Sequence, residues 1–209
     1  MAVLTVFEYI AVLSFAVSGS IMAVRKHMDL YGSLILALMT AMGGGLIRDV
    51  MIGNIPPLVL SDASYLLVAA AASAIVYLLY ERIETLQYPL RILDAVGLGI
   101  FTVLGSRLAL DYGLPLYSAV MIGMISGTGG GMIRDLLARE VPLVLQRGIY
   151  AMAAFIGGSG YVLIVRVLEP SEQLEPWIAL AIAFFIAIFR ILSVYKDWHM
   201  PRAYHRHGG

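Results

Sequence analysis

The sequence predicts an all-α polytopic membrane protein of seven transmembrane helices, arranged as two inverted three-helix repeats plus a seventh helix. Three observations predict it. Hydrophobic residues fill 60% of the 209 positions and charged residues 13%, with a mean hydropathy of +0.87; soluble domains run at about 45–50% apolar and about 25% charged. Apolar runs of about 20 residues, enough to cross a bilayer, follow one another with short connections. The string Gly43-Gly44-Gly45-Leu46-Ile47-Arg48-Asp49 returns as Gly129-Gly130-Gly131-Met132-Ile133-Arg134-Asp135.

The first span covers 4–24 and carries Glu8, Ser18 and Ser20. No basic region precedes its apolar run, and it has a counterpart in mid-chain, so it reads as a retained helix and not a signal peptide. The second, 30–52, holds Thr40 and the first glycine string; Pro56-Pro57 then turn the chain, since proline lacks a donor and restricts the residue before it. The third span is 61–80. The fourth, 93–110, contains Asp94 and Ser106, and the fifth, 116–137, contains Ser126, Thr128 and the second string, followed by Pro142. The sixth is 146–168. The seventh, 177–195, has no counterpart, and Trp177, Tyr195 and Trp198 lie near its ends, as interfacial anchors should. A basic tail, 196–209, reads as solvated. It holds His199, His205 and His207; the remaining histidine is His27.

An offset of 86 aligns residues 7 to 56 with the second half without a gap: Phe15 on Phe101, Gly19 on Gly105, Ser20 on Ser106, Tyr31 on Tyr117, Pro56 on Pro142 and Glu8 on Asp94. Repeat 1 is therefore 4–80 and repeat 2 is 91–168, within a single transmembrane domain, 1–209. Three spans per repeat is an odd number, so the second copy enters from the opposite side. Arg25, Lys26, Arg82, Arg91, Arg139, Arg147, Lys196, Arg202 and Arg206 fall on one side; Arg107, Arg166, Glu169, Glu172 and Glu175 fall on the other. The basic side is expected to be cytoplasmic, in the inner (plasma) membrane, with the N-terminus outside and the C-terminus inside.

Three helix-interior glycines cost about 1 kcal/mol each relative to alanine, and unwound backbone at membrane depth survives only in protein or beside a water-filled path. Two symmetric triplets, each followed by charges, predict broken second and fifth helices hinged at Gly43–Gly45 and Gly129–Gly131 around a polar pathway. Arg48, Asp49, Arg134 and Asp135 within spans are costly and face the bundle interior. Helix neighbours do not face each other, so each needs a further partner. At 1.5 Å per residue Arg48 lies roughly 27 Å along the second span, level with Glu8 about 6 Å into the first. This predicts an Arg48–Glu8 pair at one end and its equivalent, Arg134–Asp94, at the other. The same ions could instead be structural ties, and Asp49 and Asp135 could cap a half-helix. Ser18, Ser20, Thr40, Ser106, Ser126 and Thr128 could coordinate a dehydrated ion or bond their own helices.

Zero formal net charge gives no reason to expect a nucleic acid partner. The absence of cysteine excludes disulfides, thiolate metal sites and thiol catalysis. No Gly-Lys-Ser/Thr follows the glycines and no Ser-His-Asp set or ligand cluster stands out, so no enzyme, cofactor or metal site is expected.

At its two Gly-Gly-Gly-X-Ile-Arg-Asp motifs the chain resembles the prokaryotic trimeric intracellular cation (TRIC) channel family, also catalogued as bacterial glycine transporters. The resemblance covers nearly the whole chain. It implies a homotrimer in the lipid bilayer, each subunit with its own pore around the second and fifth helices, passing K+ and also Na+. Animal members carry Lys-Glu-Val in the fifth-helix region and bind a phosphoinositide there. Gly-Met-Ile-Arg-Asp stands here instead, which speaks against that regulation. A passive monovalent cation channel is the expected function. A secondary transporter of a small amino acid such as glycine and a non-conducting membrane scaffold are the alternatives.

Overall fold

The computed structural model describes residues 2–79, 89–146, 149–196 and 198. Seven long helices account for most of them: α1 (Ala2–Arg25), α2 (Leu30–Ile52), α3 (Ala63–Leu78), α4 (Pro89–Asp111), α5 (Leu116–Leu137), α6 (Ile149–Leu168) and α7 (Glu175–Tyr195). Six are long and apolar enough to cross a membrane; α3, with 16 residues, is the shorter exception. One-turn helices, Leu58–Ser61 and Leu143–Gln146, precede α3 and α6. Most of the tail, its three histidines included, and Tyr80, Arg82, Arg147, Arg202 and Arg206 lie outside the described residues.

Capping defines the helix ends. Asp29 accepts from Gly32 N–H at 2.7 Å to open α2, and Asp62 accepts from Ser64 N–H at 2.9 Å to open α3. The helical turns close in left-handed conformation at positions that the repeat relates. His27 (φ 54°) corresponds to Gly113 (φ 73°), and Gly53 (φ 76°) to Arg139 (φ 57°). One copy uses glycine, which adopts this region freely, and the other forces a side chain into it at about 1–2 kcal/mol. His27→Gly and Arg139→Gly are therefore expected to be neutral or to stabilise the protein by up to about 1 kcal/mol. Thermal unfolding in detergent micelles checks this, with Gly53→Ala and Gly113→Ala destabilising.

Within each repeat the first helix packs on the second and third, and the repeats meet through α2 against α5 and α1 against α4. Equivalent residues touch across this pseudo-twofold axis: Phe15 stacks on Phe101 with ring centroids 5.4 Å apart. Helix α7 packs on α4 and α6 and so belongs to the second repeat's side. The core is built of small residues and a few aromatics. Ala11, Ala16, Ala95, Ala109, Phe15, Phe101, Tyr150 and Tyr161 are all buried, as expected where van der Waals packing, not water exclusion, drives helix association.

Candidate functional site

The two glycine triplets meet. A Cβ on Gly44 would stand 2.1 Å from the carbonyl oxygen of Ser126, and one on Gly130 would stand 2.2 Å from that of Thr40. Gly43 faces Ile133 and Gly129 faces Ile47. Residue numbers rise along α2 as they fall along α5, so the helices are antiparallel, as inverted repeats require. Both helices run unbroken through their glycines. This corrects the expectation of glycine-broken helices: the triplets act by letting two backbones touch, and the intrahelical hydrogen bonds stay in place. The chain breaks later, at the proline turns, where Ile55–Pro56 is cis.

At one end of the crossing, Arg48 folds back on its own neighbour, its Nε donating to Asp49 Oδ1 at 2.8 Å. Asp49 Oδ2 accepts from Leu58 N–H at 2.9 Å, the first turn of the short helix beyond the prolines. Asp49 is fully buried and clamps the returning chain. Sequence neighbours thus do pair, contrary to expectation, because the arginine stem is long enough to curl along its helix. The Arg48–Glu8 pair expected from depth does not form. Glu8 shares a cleft with Arg48, but its Oε2 accepts from Tyr65 OH at 2.9 Å. Tyr65 stacks on Tyr9 at 5.0 Å, and Tyr9 OH is 2.5 Å from Ser64 Oγ. This aromatic scaffold holds the carboxylate away from the guanidinium.

At the other end the expected pair is present. Arg134 Nη1 donates to Asp94 Oδ1 at 2.6 Å and to Ser18 Oγ at 2.5 Å. Its Nε and Nη2 reach Asp135 Oδ1 at 3.0 and 2.8 Å. Asp135 Oδ2 accepts from Leu143 N–H at 2.9 Å, as Asp49 does from Leu58. Arg134 is wholly buried and fully satisfied, the condition under which an internal charge is tolerated.

Tyr65, Tyr150, Tyr161 and Arg190 escaped the sequence reading, and Arg107 and Glu175 entered it only as charges on one side of the membrane. An offset of 86 places Tyr150 opposite Ser64. In space Tyr150 is the counterpart of Tyr65: its hydroxyl and Asp94 Oδ1 stand 2.9 and 3.0 Å from where a Cβ on Gly131 would be. The offset falls to 85 after Pro142, where the second copy lacks an equivalent of Pro57, and Leu-Val-Leu at 58–60 and at 143–145 carries that signal. Arg190 of α7 lies over the Tyr150 ring, 4.7 Å from its centroid. Arg107 pairs with Glu175 at 2.9 Å, and Glu175 also accepts from Tyr161 OH at 2.6 Å. Of the hydroxyl candidates, Thr40 and Thr128 donate to their own helices, to Leu36 O and Met124 O. Ser18 binds Arg134, and the buried hydroxyls of Ser20, Ser106 and Ser126 have no hydrogen-bond partner among the described residues.

Symmetric latches lie beyond the clusters. Lys26 pairs with Glu140, and its equivalent Tyr112 donates to Asn54 Oδ1 at 2.8 Å. Each ties the loop of one repeat to the end of the central helix of the other.

A family profile described as "Glycine transporter" matches twice, over residues 5–81 and 91–166. A UPF0126 membrane protein of Deinococcus radiodurans is 41% identical over 79% of this chain and 78% of its own length. The UPF0126 inner membrane protein YadS of Escherichia coli K12 is 41% identical over 69% of this chain and 70% of its own. Among solved structures, a TRIC channel from a study of conductance through TRIC cation channels superposes with a TM-score of 0.87 at 36% identity, covering 98% of both chains. The TRIC orthologue of Rhodobacter sphaeroides gives 0.85 at 31% identity, covering 95% of this chain and 100% of its own. A trimeric intracellular cation channel of C. elegans, 16% identical with a TM-score of 0.62, shares the fold.

Proposed function

We propose, from the premise that this chain belongs to the prokaryotic TRIC channel family, catalogued also as glycine transporters, that it is a passive monovalent cation channel. The pathway runs along the α2–α5 crossing of each subunit. One observation carries the reading. At each end of the crossing a single buried arginine is set among two carboxylates, Asp49 and Glu8 at one, Asp135 and Asp94 at the other. An unpaired guanidinium in a low-dielectric path would repel cations strongly; here each is outnumbered, which suits a path for K+ and Na+. Asp49 and Asp135 hold the chain, Glu8 and Asp94 face along the path, and the hydroxyls of Ser20, Ser106 and Ser126 supply oxygens between. The subunits assemble as homotrimers in the inner membrane, with the N-terminus outside.

Recording from purified protein in planar bilayers tests this. Discrete ohmic openings with reversal potentials set by K+ over Cl− are expected. Saturable uptake of glycine without unitary currents would replace the channel with the transporter reading, and silence in both assays from folded protein would leave a scaffold.

A further inference from the structure

The ion cluster around Arg107 has an apolar counterpart in the other repeat. An offset of 86 sets Arg107 against Ile21, and the offset of 85 that holds after Pro142 sets Tyr161 against Val76. Leu90 and Glu175 each stand in the first turn of the helix that follows their own repeat. In the first copy Ile21, Val76 and Leu90 are buried together as a small apolar core. In the second the same junction is closed by ions. Arg107 Nε lies 2.9 Å from Glu175 Oε1 and 3.9 Å from Asp111 Oδ2, and Tyr161 OH donates to Glu175 Oε1 at 2.6 Å. Aliphatic side chains suffice to hold this junction, so packing does not require the charges, and a partly buried ion pair is weak evidence for stability in any case.

Their position supplies another reason. Arg107 and Asp111 form a partition shared by two clefts of about 300 Å³ each. One is the mouth cleft, where they meet Glu8 and Arg48; the other is lined also by Tyr161, Glu169 and Glu175. Left to itself, Arg107 would set a second positive charge beside Arg48 in the mouth. Glu175 draws the guanidinium the other way. It is itself fixed, by Tyr161 OH and by its place at the N-terminus of α7, where a carboxylate is favoured. Among the groups that border the mouth cleft or pair with its arginines, Arg48 and Arg107 face Glu8, Asp49, Asp111 and Glu175. Loss of the Glu175 charge removes one of those four carboxylates and frees Arg107 to turn onto Glu8. We propose that Glu175 is a positioning residue for cation preference: it holds Arg107 back from the mouth and keeps that end of the path attractive to cations. The proposal rests on the channel reading for what the mouth serves. It gives the appended seventh helix a task at one end of the path that no helix of the repeats performs at the other.

The test exploits a chain without cysteine. Thr5 is exposed and borders the mouth cleft. The full chain carrying Thr5→Cys, purified in detergent at low salt, is modified with methanethiosulfonates of similar size and opposite charge. The ratio of cationic to anionic reagent rates reads the local potential and cancels differences in thiol reactivity. Glu175→Gln is expected to lower that ratio, and Arg107→Gln to raise it, each at least about twofold, as a single charge about 10–15 Å away should in weakly screening solution. Glu175→Gln leaves an acceptor for Tyr161 OH, so the junction is kept. The double variant Arg107→Gln, Glu175→Gln should return to the parent ratio, a rescue that disruption of the junction could not produce. Reversal potentials in a KCl gradient give the matching readout: the preference for K+ over Cl− should fall in Glu175→Gln and recover in the double variant. A wild type silent in bilayers would sink the channel reading alone, because the thiol rates are measured without current. An unchanged rate ratio in Glu175→Gln, a shift in the same direction in both single variants, or an unaltered ion preference in a conducting Glu175→Gln channel would overturn the proposal.

Discussion

Gly44→Ala and Gly130→Ala are each expected to destabilise the protein by about 1–3 kcal/mol or more, while Gly45→Ala stabilises it slightly. The difference is geometric. A methyl group at position 44 or 130 lands 2.1 or 2.2 Å from a main-chain oxygen of the opposing helix. No rotamer change relieves that contact, so α2 and α5 must separate, which is the costly form of overpacking. At position 45 the nearest atoms are 3.8 Å away, and alanine gains up to about 1 kcal/mol of helix propensity over glycine. Thermal unfolding in micelles measures all three. If Gly45→Ala proved as damaging as its neighbour, the triplet would be needed for flexibility, and the close approach would not be its reason for being there.

Asp94→Ala should cost about 3–5 kcal/mol, the usual consequence of stranding one half of a buried ion pair. Arg134 would keep Asp135 and Ser18 but lose its 2.6 Å partner while remaining wholly buried. Removing the charges together should be far milder. In Arg134→Met, Asp94→Leu, Asp135→Asn the asparagine carbonyl still accepts from Leu143 N–H, and most of the loss should be recovered. Glu8→Ala gives the contrast. Glu8 is partly exposed and answers to Tyr65, not to Arg48, so about 1–2 kcal/mol is expected, the value of one hydrogen bond to a charged group. Unfolding of the three variants against the parent separates an ion pair that the fold needs from one that never forms.

Hydropathy and the repeat made the architecture legible: seven apolar runs, a doubled motif and an odd number of spans per copy leave little freedom. The Arg134–Asp94 pair was legible too, because helix rise converts sequence position into depth. Depth says nothing about azimuth or about competing partners, and for that reason the same arithmetic failed at Arg48. Tyr65, an exact match for Tyr150 only after a one-residue slip, had claimed Glu8. The pairing of Arg48 with its own neighbour was hidden because side-chain reach is a property of the rotamer, not of helix periodicity. The unbroken glycines were hidden for a related reason: a flexible residue in a helix is read as a break until the opposing surface is known. Arg190 lies on a helix without a repeat partner, so no symmetry could point to it.

The shortening by one residue after Pro142 has a consequence for how such a chain tolerates change. A lost residue inside a helix would turn everything beyond it by about 100° and swing Tyr150 off Asp94. Here the loss falls between Pro142 and Leu143, just upstream of the N–H that Asp135 holds. The aspartate therefore works as a reset point, where errors in length are absorbed before the next helix is docked. The same stretch in the first copy, between Pro56 and Leu58, is where an inserted or deleted residue would be borne most readily. Once Asp49 or Asp135 is removed, a change in loop length that was harmless becomes a rotation of the whole helix that follows.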